Sequence, residues 1–96
     1  MKYKLVKTCG ACPEQYDVFD DSGHQVAYFR LRHGCFTVDV PCHNTETIYE
    51  EYPKGDGMFN DDERMFYLTE AINKVAEFYN VDHRDNTIEI VNGENE

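Results

Sequence analysis

Apolar and polar positions alternate with a period of two over most of the first half of the chain, which predicts β-strands. The predicted strands cover residues 3–7, 15–20, 25–32, 35–40 and 46–52. Short turn signals separate them, so consecutive strands are expected to pair as an antiparallel meander. The apolar side chains of the third and fourth strands share one predicted face: Ala27, Phe29, Leu31, Phe36, Val38 and Val40.

After a Gly-rich loop the apolar period changes to about 3.6 residues, which predicts an amphipathic helix over roughly 61–80. Asn60 is the expected N-cap, and Glu63 completes a capping-box pattern. The stripe expected to pack on the sheet comprises Met65, Leu68, Ile72, Val75 and Tyr79, widened by Ala71, Ala76 and Phe78. Phe66 falls on the far side. Residues 87–91 predict an edge strand, and 92–96 a frayed tail.

These elements predict one α+β domain over residues 1–96, with a meander of about five strands packed by one C-terminal helix. Hydrophobic residues form 41% of the chain and aromatic residues 14%, which favours a folded core over a disordered acidic segment. No segment has the pattern of a signal peptide or a membrane span, so the cytosol is the expected compartment. The oligomeric state does not follow from the sequence.

The net charge of −10 limits the classes of binding partner, because it repels nucleic acid and anionic membranes and attracts basic protein surfaces. Direct nucleic-acid binding is therefore disfavoured. The candidate partner-binding residues are exposed acidic groups: Asp20, Asp21, Glu50, Glu51, Asp56, Asp61 and Asp62. The alternative is that this acidity serves solubility alone.

Cys9 and Cys12 form a CxxC pattern between the first two predicted strands, and two thiolates at this spacing suit one tetrahedral Zn²⁺ ion. A strand follows the pattern, whereas a redox pair is expected at a helix N-terminus. Strand pairing brings the next turn to the same end of the sheet. We therefore predict a structural zinc site of the zinc-ribbon kind, with Cys9, Cys12, His33 and Cys35 as ligands.

Cys42 and His43 are alternate zinc ligands. The intervening strand is long enough to carry Cys42 to the opposite end of the sheet, near His24, where a second, weaker site is an alternative. Two further interpretations stay open. In the first, the four cysteines are unrelated residues of a reduced protein. In the second, Cys9 and Cys12 serve a small thiol oxidoreductase.

No phosphate-binding loop, nucleophile elbow or zinc-protease motif is present in the sequence, so we expect no catalysis. Arg30 and Arg32 alternate outward on the third predicted strand. We expect them to pair with Asp17 or Asp39 across the sheet, and a contact patch is the alternative.

Three segments carry a resemblance: CPEQYDVFD (residues 12–20), QVAYFRLRHG (25–34) and ETIYEEYPKGDGMF (46–59). Together they resemble small proteins carried by phages and prophages of Gram-positive bacteria. The resemblance covers roughly two thirds of the chain. The family has no known activity, so the resemblance implies a context and not a mechanism.

In size, charge and lack of a catalytic signature the chain also resembles the small anti-CRISPR proteins of such phages, including zinc-containing ones. That resemblance implies an inhibitor that binds a basic nucleic-acid-handling surface of Cas9 and blocks DNA loading or cleavage. The alternative partner is another basic protein, bound by a phage housekeeping protein.

Overall fold

The computed structural model describes residues 1–8, 13–43, 45–82 and 85–93. Its elements are β1 (Lys2–Lys7), β2 (Glu14–Phe19), β3 (Gln25–Arg32), β4 (Cys35–Val40), β5 (Glu46–Glu51), α1 (Arg64–Phe78) and β6 (Thr87–Asn92). The sheet order is β5-β4-β3-β2-β1-β6. The first five strands form the predicted antiparallel meander, and β6 joins β1 in parallel. The fold is therefore a small α+β domain with a mixed six-stranded sheet.

Two tight turns fix the register of the middle strands. Asp20 closes the β2–β3 turn, where its side chain accepts hydrogen bonds from the backbone N–H groups of Ser22 and His24, each at 3.0 Å. His33 and Gly34 form the β3–β4 turn with φ values of 54° and 75°. Two successive positive φ values are typical of the hairpin turn that matches strand twist.

One face of the sheet packs against α1 and forms the core. The helix buries Leu68, Ala71, Ile72, Val75 and Ala76. On the sheet, the predicted apolar face of β3 and β4 is buried throughout: Ala27, Phe29, Leu31, Phe36, Val38 and Val40. The opposite face of the sheet carries no helix among the described residues, and we call it the open face.

The prediction for the helix was wrong at both ends. It begins at Arg64 and not near residue 61, and its cap residue is Glu63 instead of Asn60. Met65 is 50% exposed and Tyr79 38% exposed, although both were expected in the buried stripe. Met65 lies in the first turn of this shorter helix and Tyr79 at its C-cap, where few neighbouring groups cover a side chain. Phe78 is exposed as well.

Candidate functional site

The loop between β5 and α1 is fastened to the ends of three strands. The backbone N–H of Glu14 donates to the carbonyl of Gly57, and that of Gly34 donates to the carbonyl of Asp56, both at 2.7 Å. Gly55 and Phe59 are buried within the loop. A β-carbon on Gly55 would lie 1.9 Å from the carbonyl oxygen of Met58, so this position admits glycine alone.

Glu63 holds the loop from the side of the helix. Its carboxylate accepts hydrogen bonds from the backbone N–H groups of Lys54 at 2.9 Å, Gly55 at 2.8 Å and Asn60 at 2.9 Å. The bond from Asn60 joins the two residues of the predicted capping box, but both precede the helix, which begins at Arg64. Burial alone would raise the pKa of Glu63, but these three donors outweigh it and lower the pKa.

A buried ion pair joins the helix, the loop and the sheet beneath. Glu14 is 1% exposed, and its carboxylate accepts from Arg64 Nε at 2.7 Å and Nη2 at 3.1 Å. The Tyr16 hydroxyl and the Phe59 N–H also donate to it. Burial would raise the pKa of Glu14, but the hydrogen bonds from Arg64, Tyr16 and Phe59 lower it. This network is structural, since all four donors come from the protein.

The segment of residues 51–66 exposes both acidic and large apolar side chains. The exposed acidic residues are Glu51, Asp56, Asp61 and Asp62. The exposed apolar residues are Tyr52 (69%), Met58 (39%), Met65 (50%) and Phe66 (61%). We call these eight residues the docking end. Protein interfaces are enriched in aromatic and methionine side chains, a few of which supply most of the affinity, and their charged groups lie mainly at the rim.

The seven predicted partner-binding residues do not form one patch. Four of them belong to the docking end. Glu50 lies on the open face, where it accepts hydrogen bonds from Cys35 Sγ at 3.2 Å and from the Tyr52 hydroxyl at 2.8 Å. Asp20 and Asp21 lie in the β2–β3 turn at the opposite end of the sheet. Antiparallel strands carry successive turns to alternate ends, which explains the split.

The predicted zinc ligands fall only partly within the described residues, because Cys9 and Cys12 lie outside them. His33 and Pro13, the residue after Cys12, line one cleft of about 220 Å³ together with Arg32, Asp56 and Gly57. Pro13 and the His33 turn therefore meet at one end of the sheet. Within the described part of the chain no three His, Cys, Asp or Glu side chains form a metal-binding group.

Cys35 and Cys42 occupy opposite ends of the extended strand β4, in agreement with the sequence argument. Cys35 lies opposite Arg32 on the open face, and its thiol donates to Glu50. Burial and the Glu50 carboxylate raise the pKa of this thiol. A zinc ion at Cys35 would therefore have to displace both the Glu50 hydrogen bond and a proton. His43, the other alternate ligand, packs against the Tyr28 ring with centroids 4.8 Å apart.

Asp17 and Asp39, the expected partners of Arg30 and Arg32, accept hydrogen bonds from neighbouring side chains. Asp17 accepts from Gln25 at 3.2 Å, and Asp39 accepts from Thr47 at 2.6 Å. Arg30 and Arg32 both lie on the open face, opposite Thr37 and Cys35 of β4.

Sequence reasoning missed the Glu14–Arg64 pair and the apolar half of the docking end. Fifty positions separate Glu14 from Arg64, and no local pattern links them. Phe66 did give a signal, because an aromatic residue on the polar side of an amphipathic helix has no place in the core. In the structure Phe66 is 61% exposed, and its ring contacts the ring of Tyr67 edge-on with centroids 5.1 Å apart.

Comparison of the chain with protein-family models, with curated proteins and with solved structures found no match. Within the described ranges, no helix is both long enough and apolar enough to cross a membrane. The class that the fold defines is thus a small α+β domain with a mixed six-stranded sheet and a single helix.

Proposed function

We propose that the chain is a non-catalytic binding module whose docking end attaches to a basic surface of a partner protein. The observation that carries this proposal is the exposure of four acidic and four large apolar side chains on one segment, residues 51–66. Acidic groups orient the partner and exclude acidic competitors. The apolar groups supply the buried contacts that hold the complex.

The anchoring of the segment supports the same proposal. Glu63 and the backbone bonds from Glu14 and Gly34 hold the loop in one conformation before any partner arrives. A preorganised surface loses less conformational entropy on binding than a mobile loop does. The loop is therefore suited to docking as a rigid body.

The partner we propose is Cas9, for which the support is the net charge of −10 together with the resemblance to phage proteins. Cas9 holds its guide–target heteroduplex in positively charged channels. An acidic domain seated in such a channel would occupy the path of the nucleic acid and block DNA loading or cleavage. This function places the chain in the cytoplasm of a bacterial host.

We further propose a structural Zn²⁺ ion held by Cys9, Cys12, His33 and Cys35, with Cys42 and His43 as alternates. The position of His33 supports it, since His33 shares a cleft with Pro13 at the end of the CxxC segment. An ion closed by four protein ligands would stabilise the fold and leave no open position for a substrate. Asp56 lines the same cleft, so the ion would also steady the loop of the docking end.

The test is binding of the purified protein to Cas9, by pull-down and calorimetry, with cleavage of target DNA as the second readout. The test variant replaces Asp56 and Asp62 with Asn. The matched control replaces Asp21 and Asp85, which are exposed residues outside the docking end, and removes the same charge.

We expect the docking-end variant to bind about tenfold more weakly and the control variant less than about twofold more weakly. Equal weakening would show attraction to the whole molecule instead of a defined docking end. Absence of any binding to Cas9 at moderate salt would exclude Cas9 as the partner.

A further inference from the structure

The outer edge of β5 is free to pair with another strand. Within the described residues, β5 forms ladder hydrogen bonds with β4 alone, and it ends one side of the sheet. No other described segment donates to or accepts from the backbone of Glu46–Glu51. An edge strand of this kind presents a row of N–H and C=O groups that can bind an extended segment.

The charges on the outer edge of β5 determine which kind of segment can pair with it. β5 carries Glu46, Glu50 and Glu51, and it has no basic residue. A second copy of the chain would bring two such strands together, so like charges disfavour self-pairing. The opposite edge, β6, carries one acidic residue, Glu89, and this residue is paired with Lys2 at 3.5 Å. β5 is therefore the edge that favours a basic segment.

A bulge limits how much of the edge can pair. The register with β4 shifts between Val38 and Asp39, which leaves Ile48 as the extra residue of β5. Beyond the bulge, Tyr49, Glu50 and Glu51 continue regularly to Tyr52. Because Glu51 and Tyr52 belong to the docking end, a strand added here would run directly into that surface.

We propose that the part of β5 beyond the bulge accepts, as an additional strand, a short extended segment of the partner with Lys or Arg residues. The inference rests on the proposed function for the basic character of the partner. Glu50 and Glu51 point to opposite faces of the sheet, so basic residues at neighbouring positions of the segment would each meet a carboxylate. The exposed Tyr52 ring provides an apolar contact at the end of the strand.

The probe is a synthetic peptide with blocked ends in which pairs of neighbouring Lys residues are separated by pairs of Val residues. Two further peptides carry N-methyl groups on its odd or its even residues, which removes one of the two rows of N–H donors. Binding is followed by NMR, with the backbone amide signals of β5 and β6 compared during titration. In strand addition one row of donors faces β5 and the other faces solvent.

We expect the β5 amides to shift and to exchange more slowly, while those of β6 do not change. One N-methylated peptide should bind at least about tenfold more weakly, and the other should bind like the parent. A variant with Glu50→Gln and Glu51→Gln should also bind more weakly than the Asp21→Asn, Asp85→Asn control.

Equal binding of both methylated peptides would overturn strand addition and indicate attraction by charge alone. Shifts confined to residues 56–66, shifts at β6, or no binding of any peptide would overturn it as well. None of these results depends on Cas9, so failure here is distinguishable from failure of the proposed function.

Discussion

At the scale of single residues, Glu14 shows how a charge is tolerated in an apolar core. Its carboxylate has four donors within the protein, so burial leaves no oxygen without a hydrogen bond. Arg64 is the partner that balances its charge, and the Arg64 side chain is 22% exposed. The removal of either residue leaves the other buried without its counter-charge, which is the costly step.

We predict that Glu14→Gln lowers the free energy of unfolding by about 3 kcal/mol, because Arg64 loses its buried partner. Urea denaturation followed by circular dichroism measures this change. Asp61→Asn is the matched control, since Asp61 pairs with the same arginine but is 98% exposed. Its cost should stay below about 1 kcal/mol. Equal costs for the two variants would show that burial of the pair does not matter.

The pH dependence of stability follows from the lowered pKa of Glu14. The pKa of this carboxyl is lower in the folded state than in the unfolded state, where it is ordinarily about 4.3. The ionised carboxyl therefore stabilises the fold at pH values above the unfolded pKa. This stabilisation is lost as the pH falls through the folded pKa. We therefore expect the stability difference between the wild type and Glu14→Gln to be largest near pH 7 and to shrink below about pH 4. A difference that grows in acid would contradict the assignment.

Gly55 and Gly23 require glycine for two different physical reasons. Gly55 has no room for a β-carbon, whereas Gly23 has open space around it but a φ of 86°. Gly23→Ala should cost about 1–2 kcal/mol from backbone strain alone. Gly55→Ala should cost more than that, because the backbone of Met58 and Phe59 must move. Thermal melts of both variants test the order, and a smaller loss for Gly55→Ala would show that the loop adjusts freely.

At the scale of elements, period-two alternation located β1 to β5 within about one residue, because one face of each strand is buried and the other is polar. The predicted helix start was wrong because the Glu63 carboxylate binds the loop before the helix and makes no capping hydrogen bond to the helix itself. Its bonds to Lys54 and Gly55 are tertiary contacts that no helical pattern contains. The parallel pairing of β6 with β1 was likewise not predictable, because it depends on where the chain leaves the end of α1 and reaches the sheet.

The sequence identified the acidic residues of the candidate site, but it predicted only part of their arrangement in space. Acidic residues were expected to bind a basic partner, but the sheet carries Asp20 and Asp61 to different ends. The separation of Cys35 from Cys42 was predictable, because strand length alone determines it. The exposure of Tyr52 and Met58 was not predictable, because the exposure of an apolar loop residue depends on how the loop is anchored.

The turn between β1 and β2 is the element on which zinc would act. We predict that Cys9→Ser and Cys12→Ser each lower the melting temperature strongly, since structural zinc contributes on the order of 10 kcal/mol to small domains. Elemental analysis should find one zinc per chain, and chelation should mimic either variant. Cys42→Ser should be mild, because Cys42 lies at the other end of β4. Unchanged melting of the first two variants would remove zinc from the proposal.

At the scale of the whole molecule, charge is unevenly distributed. The open face carries Lys2, Lys4, Arg30 and Arg32, and it carries four acidic residues, Asp17, Asp39, Glu50 and Glu89. Those charges balance, so the full excess of ten negative charges belongs to the rest of the chain. The long-range field is therefore directional, and it favours approach of a basic partner to the other sides of the molecule, which include the docking end.

Directional charge and exposed apolar groups should affect different steps of binding. Raising the salt from about 0.05 M to about 0.3 M should slow association with the basic partner roughly tenfold and leave dissociation almost unchanged. Asp56→Asn with Asp62→Asn should act in the same way, through the association rate.

Phe66→Ala should instead speed dissociation, because a buried aromatic contact forms only after docking. Stopped-flow association and surface-plasmon dissociation measurements separate the two rates. Phe66 is 61% exposed, so its replacement should leave the melting temperature unchanged, and that is the control for folding. An unchanged dissociation rate would place Phe66 outside the interface. Salt-independent association would mean that the acidity serves solubility and not recognition.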